Sequence, residues 1–184
     1  MSGKLSKTNN KKLNLKYIGV LSRFEKEKRP IKNDVLIILS GIESQREKLE
    51  KTFMKSFKKS NQKVVMIQGN IEKAQQKRVS GNLTIYNYLL SKELEREINQ
   101  SEIIICRSGY SSIMDLAVLE KKAFFIPTKN QSEQEYLANY LKMKKSAPFC
   151  KEHTFTIALL EELKKYKGLS CEESNLEKEL LRLF

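Results

Sequence analysis

The chain has 184 residues, with 35 Lys and Arg against 22 Asp and Glu, and a formal net charge of +13. That length suits one domain with a substantial hydrophobic core and barely two. No apolar run approaches the roughly 20 residues that span a bilayer, residues 1–16 lack a signal-peptide core, and three separated Cys without a CxxC pair argue against a disulfide scaffold or a closed zinc site.

In chain order, residues 1–16 read as a basic, flexible tail and 17–184 as the folded domain. Residues 1–32 hold ten Lys and Arg and two Glu, a balance of +8. Solvated basic surface accounts for this charge, and contact with an anionic membrane face is a second reading. Nucleic acid would require aromatic residues interleaved with a contiguous basic stripe, and there is none. Residues 35–39 form a continuous apolar run, the pattern of a parallel strand covered on both faces. Ser40-Gly41 ends it, and Ser44 is placed to cap a helix over 45–59, where Leu49, Phe53 and Phe57 recur on one face. A second strand is predicted over 63–68, then an irregular polar stretch over 71–82, then a third strand over 83–86. Ser91 marks the start of a helix over 92–99. Residues 103–106 give a fourth strand, 111–120 a helix and 123–126 a fifth strand closed by Pro127. A helix starts at Ser132 or Glu133 with Tyr136, Leu137, Tyr140 and Leu141 facing inward. Amphipathic helices are predicted over 154–166 and 171–183.

Strands that alternate with helices predict an α/β fold, a three-layer Rossmann-like domain with a parallel sheet. Ligands of such sheets sit at the carboxyl ends of the strands. The informative stretch is 103–127, where an apolar run stops at Arg107-Ser108-Gly109 and a helix begins at once. Small residues at such a junction let backbone approach a ligand and aim free N–H groups at an anion. Arg107 is placed for a forked contact to a diphosphate, or for a structural ion pair at the sheet edge. Ser108, Gly109, Ser111 and Ser112 supply hydroxyls and N–H groups, and Ser40 with Gly41 repeats the pattern on another strand. Asp115, three residues beyond Ser112, suits the two donor hydroxyls of a ribose or simply complements the helix N-terminus. Gln134 and Glu135 open the next helix and either reach a sugar or serve as polar helix-start residues. No GxSxG, GxxxxGK[ST] or HExxH is present, and no nucleophile stands beside a base.

The stretch from Arg107 to Glu135 resembles the donor-binding half of GT-B glycosyltransferases. It is most similar to the bacterial enzymes that add N-acetylglucosamine to lipid I, whose half carries the glycosyltransferase family 28 C-terminal domain. Arg107-Ser108-Gly109 stand at that group's Arg-Ser-Gly, Ser112 at its hydroxyl, Asp115 at its helical Glu, Pro127 at its strand end and Gln134-Glu135 at its Gln-Gln pair. The resemblance extends to residues 35–41 and, as a crossover segment, to 17–23. Gln68-Gly69 stands at a strand exit near the base-binding region. The resemblance implies a single GT-B C-terminal half in which Ser108 and Gly109 line the diphosphate, Asp115 binds the ribose, and Gln134 and Glu135 face the donor sugar. It implies no cofactor or metal, a UDP-linked donor, a lipid or glycan acceptor, and an N-terminal acceptor domain or partner subunit. No catalytic residue is assigned. A cytoplasmic place, peripheral to the inner face of the membrane, is the corresponding expectation. Asp115 is one methylene shorter than the family's Glu, and Glu135 replaces an amide with a charge. A sugar-nucleotide epimerase or hydrolase would draw on Glu43, Glu72 and Glu135. A non-catalytic nucleotide-binding module remains the third reading.

Overall fold

Apolar runs too short for helices, closed by Gly, Ser or Asn, become the strands of one sheet. The computed structural model describes residues 3–7, 10, 12 and 19–171. In chain order the elements are β1 (Asn33–Ile38), α1 (Glu43–Phe57), β2 (Val64–Ile67), β3 (Lys77–Ser80), β4 (Leu83–Tyr86), α2 (Ser91–Asn99), β5 (Ser101–Cys106), α3 (Tyr110–Val118), β6 (Lys122–Phe125) and α4 (Ser132–Met143). Tight 3-10 turns follow at Glu152–Thr154 and Ile157–Lys165. The predicted helix over 171–183 and most of the predicted basic tail lie outside the described residues. Of that tail, Gly3 and Lys4 rest on α4, where the Lys4 N–H donates to the Tyr136 hydroxyl at 2.7 Å.

The sheet order is β3-β4-β2-β1-β5-β6. All pairings are parallel except β3 with β4, so the parallel sheet read from the sequence gains an antiparallel edge. Strand β3 lies in the stretch expected to be irregular. Its four side chains are all exposed, so it carries no alternating apolar signal.

Successive side chains of a strand point to opposite faces, and both faces here are buried. Leu36, Ile104 and Phe125 pack beneath α2, α3 and α4 with Ile98, Ile113, Leu116, Leu137 and Leu141. Val35, Ile37, Ile105 and Phe124 pack beneath α1 with Leu49, Phe53 and Phe57. Phe155 completes that second layer, its ring centroid 4.9 Å from Phe53 and 6.0 Å from Phe124.

Two local expectations are corrected. The segment expected as an amphipathic helix over 154–166 is wound as 3-10 turns. Its buried positions Leu160 and Leu163, preceded by half-buried Ile157, repeat every three residues, and a helix of three residues per turn keeps that row on one side. Helix α1 starts at Glu43 with Ile42 as its N-cap and no side-chain cap bond, so Ser44 lies inside the first turn rather than before it.

Register aligns the strand exits. Ile38 pairs with Ile67 and with Cys106, Ile67 pairs with Tyr86, and Cys106 pairs with Phe125. Five parallel strands therefore stop along one row, and every loop at the carboxyl edge leaves from the same level.

Candidate functional site

Since the exits form one row, Ser40-Gly41 after β1 and Arg107-Ser108-Gly109 after β5 leave side by side. The positive backbone ends of α1, α3 and α4 open onto this edge, because each helix follows a strand exit. Nine-residue α3 has Gly109 as its N-cap without a side-chain cap bond. Its first N–H groups, those of Tyr110, Ser111 and Ser112, have no intrahelical acceptor by the geometry of any α-helix. Together with the helix dipole, worth roughly half a positive charge, they are chemically suited to an anion.

The glycines at this edge differ in what the chain demands of them. Gly41 has φ of +99°, a left-handed conformation that L side chains rarely adopt. Gly69, after β2, has φ of +71°, and a Cβ there would lie 2.7 Å from the Leu39 carbonyl oxygen. Its own carbonyl accepts a hydrogen bond from the Arg46 guanidinium. Gly109 is different. With φ of −72° and ψ of 149° any residue fits, and a Cβ would meet only Ser112 Oγ, at 3.9 Å. No constraint of the fold requires glycine at this position.

Asp115 lies in the second turn of α3 and borders an open cleft of about 470 Å³, together with Leu21, Ser22, Arg23 and Ser111. Its Oδ1 accepts a hydrogen bond from Ser22 Oγ at 2.7 Å. Residues 21–23 belong to a strap that precedes β1, in the stretch expected to be a crossover segment. A lone Ser between Leu21 and Arg23 gives no periodic signal, so its partnership with Asp115 was invisible in the sequence.

Arg107 is turned beneath the open edge. Its side chain is only 3% exposed, and Nη1 donates to the Ile126 carbonyl at 3.0 Å. The same nitrogen lies 2.6 Å from Oε1 of Glu152, an ion pair without hydrogen-bond alignment, and Nε and Nη2 have no protein partner. The guanidinium therefore braces the exits of β5 and β6 against the 3-10 turn at 152–154. Its ion-pair reading holds, with a carboxylate that local spacing could not reveal.

Fully buried Ser108 donates from Oγ to the Gln134 carbonyl at 2.8 Å, tying the β5 exit to the start of α4. Gln134 Oε1 accepts the Thr128 N–H at 2.9 Å, which leaves its amide N–H groups to donate elsewhere. Glu135 Oε1 accepts the N–H of Asn130, a residue with φ of +64°, at 3.1 Å. Both side chains thus shape the turn between β6 and α4. Gln68 turns toward Glu50, donating at 2.7 Å. Ser40, Gly41, Gly109, Ser111, Ser112 and Glu135 reach the open edge, whereas Arg107 and Ser108 lie beneath it.

Burial raises the Cys106 thiol to about 12 and the Cys150 thiol to about 11, so neither is a thiolate at neutral pH. Among the described residues no three His, Cys, Asp or Glu gather to hold a metal ion, and no helix is long and apolar enough to cross a membrane.

The family model described as Glycosyltransferase family 28 C-terminal domain matches residues 35–179. No curated protein matches the sequence. Among solved structures, the Acinetobacter baumannii MurG is similar with a TM-score of 0.57 at 16% identity, covering 86% of this chain and 50% of that one. The glycosyltransferase SnogD from Streptomyces nogalater gives 0.56 at 13% identity, covering 89% and 40%. ALG13, solved by NMR, gives 0.52 at 13% identity, covering 84% of this chain and 95% of that one. These likenesses establish the shared fold. The chain spans half or less of the MurG and SnogD chains and nearly all of ALG13.

Proposed function

Because the chain belongs to the glycosyltransferase family 28 C-terminal domain family, we propose that it is the donor-binding part of a glycosyltransferase and takes a nucleotide-diphospho-sugar, UDP-linked, at the carboxyl edge of its sheet. The observation that carries this reading is the junction of β5 and α3. There a helix N-terminus without a side-chain cap and a glycine that no constraint of the fold requires stand within two helical turns of an acid. In this reading the diphosphate rests on the N–H groups of Tyr110, Ser111 and Ser112, the Ser112 hydroxyl adds a donor, and Asp115 accepts from the ribose diol. Gln134 directs its amide N–H groups toward the sugar, and Glu135 holds the turn beside it.

The chemistry is transfer of the hexosyl group from the diphosphate to an acceptor hydroxyl. Negative charge grows on the leaving diphosphate as the glycosidic bond breaks. Preoriented N–H donors and a helix dipole stabilise that charge more in the transition state than in the ground state. Arg107 supports this indirectly by fixing the loop that carries Ser108 and Gly109. The acceptor, a lipid or glycan, and the group that deprotonates it come from an N-terminal domain or a partner subunit, because the chain spans 50% of MurG and 40% of SnogD. The likeness that covers 95% of the solved ALG13 chain supports the alternative in which the donor-binding part is a separate subunit.

Calorimetric titration with UDP and UDP-N-acetylglucosamine tests the reading. Micromolar to low-millimolar binding that collapses in Asp115→Ala supports it. Absence of both heat and thermal shift with UDP, GDP and dTDP overturns it.

A further inference from the structure

Asp115 presents a short side chain at the position where the ribose contact is placed, and the geometry around it says how a short acid is held. Ser22 Oγ accepts the Phe24 N–H at 3.0 Å and donates to Asp115 Oδ1 at 2.7 Å. A serine hydroxyl has one proton, so with an N–H already pointing at the oxygen, that proton is committed to the carboxylate. The strap that delivers Ser22 is itself pinned. Phe24 is buried in the core, the Glu25 N–H donates to Glu95 Oε1 at 2.6 Å, and the Glu27 N–H donates to Asn99 Oδ1 at 3.1 Å. Asn99 Nδ2 donates back to the Glu25 carbonyl at 3.0 Å, and Lys26 pairs with Glu120 just beyond α3. These contacts fix the strap against α2 and α3, so the hydroxyl is a rigid donor rather than a mobile one. Ser22 and Asp115 border the same cleft.

We propose that Ser22 is a positioning residue for nucleotide recognition: by holding Oδ1 of Asp115 it fixes the carboxylate plane, so that Oδ2 and the remaining lone pair of Oδ1 meet the ribose diol. The strap and the helical acid thereby act as a pair, the strap's hydroxyl setting the orientation that a free aspartate would lose to rotation about its side-chain bonds. This rests on the reading that Asp115 takes the ribose.

The test is calorimetric titration of the full chain with UDP and with 2′,3′-dideoxyuridine diphosphate, for the wild type and for Ser22→Ala, Ser22→Thr and Asp115→Ala. The wild type binds UDP more tightly than the dideoxy analogue, and Asp115→Ala removes that difference. Ser22→Ala weakens UDP roughly tenfold, the scale of one hydrogen bond to a charged group, and leaves the dideoxy analogue within about twofold. Ser22→Thr, which keeps the hydroxyl, restores UDP binding. If Asp115→Ala erases the preference for UDP but Ser22→Ala does not reduce it, or if Ser22→Ala weakens both ligands equally, the positioning role is overturned while the ribose reading stands. If the wild type fails to distinguish the two ligands, by binding both alike or neither, or if Asp115→Ala keeps the preference, the ribose reading falls and the role of Ser22 with it.

Discussion

Gly109→Ala separates a glycine kept for a ligand from one kept for the fold. The backbone at this position has φ of −72° and ψ of 149°, so alanine meets no strain, and its methyl would find only Ser112 Oγ, at 3.9 Å. Two small effects on stability oppose each other. Alanine restricts the unfolded chain, which stabilises by about 0.4–1 kcal/mol. It is also a poorer N-cap than glycine, which costs a similar amount. The net change stays within about 1 kcal/mol, a shift of roughly 2–4 °C in the melting midpoint for a domain of this size. Binding behaves differently. A methyl at the N-cap stands between an incoming phosphate and the N–H groups of α3, and losing one hydrogen bond to a charged group costs about 1.5–3 kcal/mol. That corresponds to roughly 10- to 100-fold in the UDP dissociation constant. Thermal melting and calorimetry on one preparation read both quantities. A variant that melts like the wild type and binds UDP equally well would show that the phosphate does not sit on α3. Gly41→Ala is the contrasting control, since φ of +99° makes alanine cost about 1–2 kcal/mol whatever binds nearby.

Arg107→Met is expected to lower stability by about 2–4 kcal/mol in urea titration, because it strips the Ile126 carbonyl and Glu152 of their buried partner; an unchanged midpoint would refute the bracing role. Phe155→Ala removes the ring shared by Phe53, Phe57 and Phe124, at an expected cost of about 3–5 kcal/mol in the same assay. Glu95 is held below the usual carboxylate range, chiefly by the Glu25 N–H. A lowered folded-state value means that its stabilising contribution is whole above pH 4.5, the ordinary glutamate value, and is lost as pH falls through the lowered one. Glu95→Gln should therefore flatten the acid limb of a urea-stability profile below pH 4.5. Cys106 should resist a thiol reagent at about pH 8 until the chain unfolds, since burial raises its thiol to about 12.

The strands were legible where a buried strand must be apolar on both faces, as in Val35-Leu-Ile-Ile and Val64-Val-Met-Ile. Strand β3 was not, because Lys77-Arg78-Val79-Ser80 lies at an exposed edge where nothing selects hydrophobic side chains. The 3-10 turns over Ile157–Lys165 read as an α-helix because rows of three and of four both satisfy a loose amphipathic pattern. At the site, the Ser-Gly junction of β5 and α3 announced itself through local chemistry, with Gly109 as the N-cap. Long-range partners did not. Glu152 meets Arg107 from beyond α4, and Ser22 meets Asp115 from before β1; neither contact leaves a trace in spacing along the chain.

The fate of Arg107 decides how this edge can hold an anion. Its charge is turned inward and paired with Glu152, so it contributes little net positive potential at the exits of β5 and β6. The Arg23 side chain adds a full charge at the cleft beside Asp115, and at the junction of β5 and α3 the attraction comes from backbone N–H groups, whose directions are set by the helix. Such donors are preoriented, so little rotamer entropy is lost when a phosphate arrives. They are also only partial charges, which limits ground-state affinity; in the proposed reading their effect is greatest when a leaving diphosphate gains charge. In the proposed reading, modest binding of the free nucleotide is the counterpart of a site built largely from backbone, and specificity would come from the contacts Asp115 and Gln134 add on either side.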